Sequence, residues 1–220
     1  MLKRLAAATF VALAMAGAAS ATPIVIFNTG VDGAGVALPD GSVDPHWQII
    51  AGTLAFPGPN AYVSNAGYPL PPWTANTAAS KWISPAANAN QEFGVFDTYI
   101  YRTTFDLTGL IPGSASLSGQ WASDNQTLEI RINGVNVLGA PNCANSTADL
   151  TCFTTFDPFS ISGGFVAGVN TLDFVVLNGG GPSGLRVEVA GSADPIPEPG
   201  TLLLLGSGIT ALAMRRRRRS

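Results

Sequence analysis

The chain has 220 residues, 25 of them Gly and 16 Pro, and only 11% are charged. With a mean hydropathy of +0.27, so little charge excludes a disordered chain, and the glycines keep no three-residue period, which excludes collagen. Seven of the 11 basic residues sit at the two ends; the 14 acidic residues and the other four basic ones, Lys81, Arg102, Arg131 and Arg186, lie between, a formal −10 that would repel a nucleic-acid backbone. One His and two Cys can build neither a His-rich metal site nor a four-cysteine zinc site.

Residues 1–21 read as a secretory signal peptide. Lys3 and Arg4 form a basic start, residues 5–16 a short apolar helix, and Ala19-Ser20-Ala21 a small-x-small site suited to signal peptidase after passage through the general secretion machinery. The mature chain then begins at Thr22. An ordinary N-terminal helix is the competing reading.

Residues 22–194 read as one all-β domain, a β-sandwich or barrel. Apolar residues alternate with period two: Tyr99, Tyr101, Thr103 and Phe105 share a face, as do Leu128, Ile130 and Ile132, then Leu172, Phe174 and Val176, then Leu185, Val187 and Val189. Asn133-Gly134 between EIRI and VNVL predicts a two-residue hairpin. Residues 30–46 and 57–79, rich in Pro, Gly, Asn and Ala, are expected to be long loops over the sandwich.

Few residues in this domain suggest chemistry. Cys143 and Cys152, nine positions apart in a polar loop of an exported protein, are expected to form a disulfide. His46 in Pro45-His46-Trp47 has no motif that would make it a catalytic base. Asp97, Asp106, Asp124 and Asp157 fall at strand ends, where Asx hydrogen bonds form turns; a structural calcium is the alternative, with no ligand set assigned. No cofactor and no metal ligand are expected, and no glycosidase motif pairs two carboxylates. Trp47 and Trp121 stand in alternating runs and are expected in the core. Trp73 and Trp82 lie in or beside the Pro/Asn-rich segment, and two readings stay open: exposed rings that stack on a sugar, or anchors that pin the loop. Phe153, Phe156 and Phe159 are expected to cover one end of the core.

At the C-terminus, Pro197-Glu198-Pro199-Gly200 precedes 14 residues without charge, 201–214, and then five arginines. That run is short of the ~20 residues a bilayer span takes, but snorkelling arginines extend it to a marginal span. Arginines held on the cytoplasmic side would leave the body outside. A buried core helix with a basic tail competes with this reading.

The order Pro-Glu-Pro, apolar helix, arginine cluster resembles the PEP-CTERM sorting signal of exported proteins from Gram-negative bacteria that make exopolysaccharide. The resemblance covers residues 196–219, within a sorting and anchor segment read as 195–220, and implies recognition of Pro197, Glu198 and Pro199 by an exosortase. This membrane-embedded cysteine protease-transpeptidase would remove the helix and send the body to the cell surface or the medium. The segment with HWQI and SKWISP resembles the matching part of other such proteins. YRTTFDL, ASLSGQWASDNQTLEIRINGVNV, FSISGGFVAGVNTLDFVVLN and GLRVEVAG resemble a galactose-binding-like jelly roll, which implies a jelly-roll β-sandwich between an N-terminal signal helix and a C-terminal hydrophobic helix. The functional expectation is a non-catalytic surface or matrix protein, with exopolysaccharide as a partner. A carbohydrate-binding module and a secreted hydrolase of unrecognised type are the alternatives.

Overall fold

The structure, a computed structural model, describes residues 20–65, 67–139 and 151–197, together with Gly200, Gly206 and Gly208. The expected signal helix and most of the expected C-terminal helix lie outside the described residues; Gly206 and Gly208 have helical backbone. Among the described residues no helix is long and apolar enough to cross a membrane.

The body is all β. Its strands are β1 (Thr22–Pro23), β2 (Val43–Ala51), β3 (Asn60–Val63), β4 (Ile83–Ser84), β5 (Asp97–Asp106), β6 (Ser116–Asp124), β7 (Gln126–Ile132), β8 (Val135–Gly139), β9 (Asp157–Ile161), β10 (Val169–Asn178) and β11 (Gly184–Ala193). They pair antiparallel in the order β8-β7-β10-β5-β2-β3-β4-β11-β6-β9, and β1 adds to β11. The short β3 and β4 are the bend in this path. On one side of the bend stands a leaf of β8, β7, β10, β5 and β2; on the other stands one of β11, β6 and β9. The two face each other across a single core, where Phe159 of β9 meets Phe174 of β10 edge-on at 5.7 Å between ring centroids.

Alternation dictates which side chains fill that core. Tyr99, Tyr101, Thr103 and Phe105 of β5 all point inward and are buried. So do Leu172, Phe174 and Val176 of β10 and Leu185, Val187 and Val189 of β11. Trp47 and Trp121 are enclosed among them. Asn133 and Gly134 turn β7 into β8 with φ of 53° and 78°, the left-handed pair a type I′ hairpin requires.

Leu128 departs from expectation. Ile130 and Ile132 are buried, but Leu128 is only half-buried and Thr127 takes the inward position. The register on β10 skips Leu128, with Val175 opposite Glu129 and Val176 opposite Thr127. This bulge shifts the alternation by one residue. The two expected loops are also shorter than read: β2 takes residues from Val43 and β3 takes Asn60–Val63. Of the three phenylalanines, only Phe159 belongs to the main core; Phe153 and Phe156 pack on a second apolar cluster.

Candidate functional site

The body releases its C-terminal segment at one well-defined point. Ile111 N–H donates to the Asp194 carbonyl at 2.8 Å, and Ile196 N–H donates to the Gly109 carbonyl at 2.9 Å. Pro195 bridges Leu110 between these two bonds. Ile196 and Pro197 are exposed, while Glu198 and Pro199 lie outside the described residues. Pro197 and Pro199 fix their own φ and disfavour helix in the residues before them.

Trp73 and Trp82 do not offer a stacking platform. Both are buried, in a small cluster with Ala122 on the outer side of β6. Their rings lie 4.4 Å apart, and Tyr68 meets Trp73 edge-on at 5.2 Å. Trp82 Nε1–H donates to the Thr74 carbonyl at 2.7 Å. The rings are enclosed because the intervening segment folds back over the sheet. That leaves the reading as loop anchors.

Arg186 holds the same segment from beneath. It is 1% exposed and donates from Nε to Ser80 Oγ at 2.8 Å, from Nη2 to Thr77 Oγ1 at 3.0 Å, and from Nη1 to the Ala75 carbonyl. Glu188 stands 3.5 Å away and the Phe156 ring 4.7 Å away. Burial lowers the Arg186 pKa, and the Glu188 carboxylate partly opposes that.

Asp124 ends β6 beside this cluster and is buried. Its pKa is raised to about 8 by desolvation, with the Trp73 indole hydrogen bond pulling the other way. Its Oδ1 has no hydrogen-bond partner. Burial thus favours the neutral form of this carboxyl. Asp106 does what a strand-end Asx should: Oδ1 accepts from Thr108 N–H at 2.8 Å and from its hydroxyl at 2.7 Å. Among the described residues no three or more His, Cys, Asp and Glu side chains gather as metal ligands.

A groove of about 500 Å³ opens where β2 and β5 splay apart. The two strands pair only from Gln48 onward, opposite Arg102, and before that point Val25, Phe27, His46, Thr104, Asp106 and Val169 line the gap. His46 stacks on Phe27 at 3.8 Å with the rings nearly parallel, and its Nε2 has no partner. Arg102 is held by Asp173 through two bonds of 2.7 Å. The buried Asp44 beneath accepts from Gly30, His46 and Trp47 N–H; burial raises its pKa, and these donors oppose the rise. The alternation pattern had no means of showing this groove, since it arises from where two strands part.

Cys152 is buried and disulfide-bonded. Cys143, Ala19 and the segment 140–150 lie outside the described residues; Ala21 is exposed just before β1.

Residues 195–219 match the PEP-CTERM protein-sorting motif, which implies an exported protein. No curated protein matches the chain. Among solved structures, the carbohydrate-binding module CBM35 from Paenibacillus barcinonensis is similar at 17% identity, over 66% of this chain and 92% of that one, with a TM-score of 0.35.

Proposed function

We propose that this protein is exported, held in the inner membrane through residues 201–214, and then processed by an exosortase at Pro197, Glu198 and Pro199. Its body, residues 22–194, is a jelly-roll sandwich with a binding or structural role at the cell surface or in an extracellular exopolysaccharide matrix. Signal peptidase removes residues 1–21, and residues 195–220 are the sorting segment. The observation that carries this reading is the motif match over residues 195–219, beginning where the last described bond to the body ends at Ile196. The body's own residues favour a non-catalytic role. His46 is the chain's single histidine, and its unpartnered Nε2 activates no hydroxyl or thiol. Asp124 is enclosed in protonated form. Carbohydrate binding is the second reading. The groove beside His46 is the concave, mixed polar and apolar place for it, since Trp73 and Trp82 are covered.

The test is Glu198→Ala in the native host, read by intact mass of the surface, medium and membrane fractions. The wild-type protein should end near residue 199 and leave the membrane, while the variant should keep its arginine tail and stay membrane-bound. A variant trimmed and released like the wild type would overturn the sorting assignment.

A further inference from the structure

The sheet runs its strands between two ends, and the tail leaves from one of them. That end carries the finish of β5, β7 and β11 and the start of β6, β8 and β10, as the registers Asp106 to Val169, Ile132 to Val135 and Ser116 to Ser192 require. Six of the thirteen exposed large hydrophobic residues among the described ones stand there: Val25, Ile111, Val135, Val166, Val169 and Ile196, each between 37% and 72% exposed.

Local contacts link them in smaller groups along that end. Val25 and Val169 line one groove. Val166 and Val169 flank Gly168, whose carbonyl accepts from Leu107 N–H at 2.9 Å. Ile111 and Ile196 are tied through the same Gly109 to Asp194 contacts that release the tail. Val135 follows the β7–β8 turn, where Asn133 Nδ2 donates to the Gly164 carbonyl at 3.0 Å. Apolar side chains gathered on one end of an acidic domain, with Asp106 and Asp194 as the nearby carboxylates, mark a surface that meets something apolar.

We propose that this end of the sandwich lies against the lipid bilayer while the sorting segment is inserted, with the six residues as an interfacial apolar rim. The proposal rests on membrane insertion of residues 201–214. The tether selects the occupant. Four residues, 197–200, separate Ile196 from the apolar run. At ~3.3–3.6 Å per residue they reach at most about 14 Å. The exit end therefore cannot stand far from the headgroups, and the opposite end, with Val95 beside Gly180, is held a sandwich length away. An apolar rim at headgroup depth gains by burial where a charged one would not. Pro197, Glu198 and Pro199 then sit in the narrow gap between body and membrane, within reach of a membrane-embedded protease.

The test reconstitutes the full chain in phosphatidylcholine vesicles brominated on the acyl chains. Single variants Val169→Trp and Val135→Trp report the exit end, and Val95→Trp the opposite end. All three sites are exposed, so the fold tolerates them, and the four native tryptophans are buried and contribute little contact quenching. Quenching several-fold greater at positions 169 and 135 than at 95 is expected. A further Val25→Asp and Val166→Asp pair added to Val169→Trp should reduce that quenching at least threefold while the protein still floats with the vesicles. Equal quenching at both ends of a chain that floats would overturn the docking and leave insertion standing. A chain that does not float with the vesicles would overturn insertion and docking together. Emission at position 169 that shifts with protein concentration and ignores the bromine would mean a second copy covers the rim, and would also overturn the proposal.

Discussion

Asp124→Asn should make the protein more stable at alkaline pH, against the usual rule that losing a carboxylate weakens a fold. The native carboxyl holds its proton up to about 8, from an ordinary value of 3.8, because burial penalises the charged form. Below pH ~4 folded and unfolded chains are both protonated at this site, and its contribution to stability is fully present. Between ~4 and ~8 the unfolded chain releases the proton while the folded one keeps it. Stability then falls by about 1.4 kcal/mol per pH unit, a total of about 6 kcal/mol once the pH passes the folded value. Asparagine has the same shape and no charge, and its carbonyl can still accept the Trp73 hydrogen bond. The variant should match the wild type within about 1 kcal/mol near pH 4 and exceed it by several kcal/mol near pH 9. Asp44, also raised by burial, leaves both proteins a residual slope of the same sign. Urea unfolding followed by tryptophan fluorescence at pH 5, 7 and 9 reads the difference directly. Parallel pH slopes for the two proteins would show that Asp124 is ionised in the folded state, and the argument from burial would fail.

Arg186→Met should cost about 2–4 kcal/mol by stranding the Ala75 carbonyl and the Thr77 hydroxyl, and hydrogen exchange should rise in the segment 74–82 before the rest of the sandwich opens. Trp82→Ala should cost about 3–5 kcal/mol through the cavity it leaves against Trp73, measured by the same urea midpoints. Gly134→Ala should cost about 1 kcal/mol, because its φ of 78° is strained for any residue with a Cβ; a fall in thermal midpoint with unchanged β content would show it. Peptide mapping of the exported, non-reduced protein should join Cys143 to Cys152, and reduction should lower stability by about 2–3 kcal/mol.

Alternation carried much of the fold because one face of each long strand is dry. The inward sets on β5, β10 and β11 could be read from period two alone, and so could the Asn133-Gly134 hairpin, whose backbone only a few residues accept. Leu128 shows where this stops. A bulge is invisible to composition, since it depends on which β10 residue stands opposite. Trp73 and Trp82 show the same limit for the candidate site. A Pro- and Asn-rich segment reads correctly as irregular, but whether its rings face water depends on Arg186 and Ala122, far away in the chain. The raised pKa of Asp124 has the same origin. The sorting segment was legible for the opposite reason: its information is linear, an order of residues that matches the motif without any fold around it.

The β1 pairing adds a consequence to that division. Thr22 stands opposite Ala193 and Pro23 opposite Ser192, so the first strand after the proposed leader lies beside the last strand before the proposed tail. Both processed ends then emerge together at the apolar rim. Each cut falls outside every ladder of the sheet: the leader ends before β1, and the tail begins after the Ile196 to Gly109 bond. Neither removes a strand of the described sheet. On the proposed processing, every strand of the described sheet is in place before the second cut, and what that cut would change is where the rim goes. While tethered, the rim rests at the bilayer. Once cut, it would be freed with Val25, Val169 and Ile196 exposed, so the surface proposed to orient the protein before processing would face water afterwards.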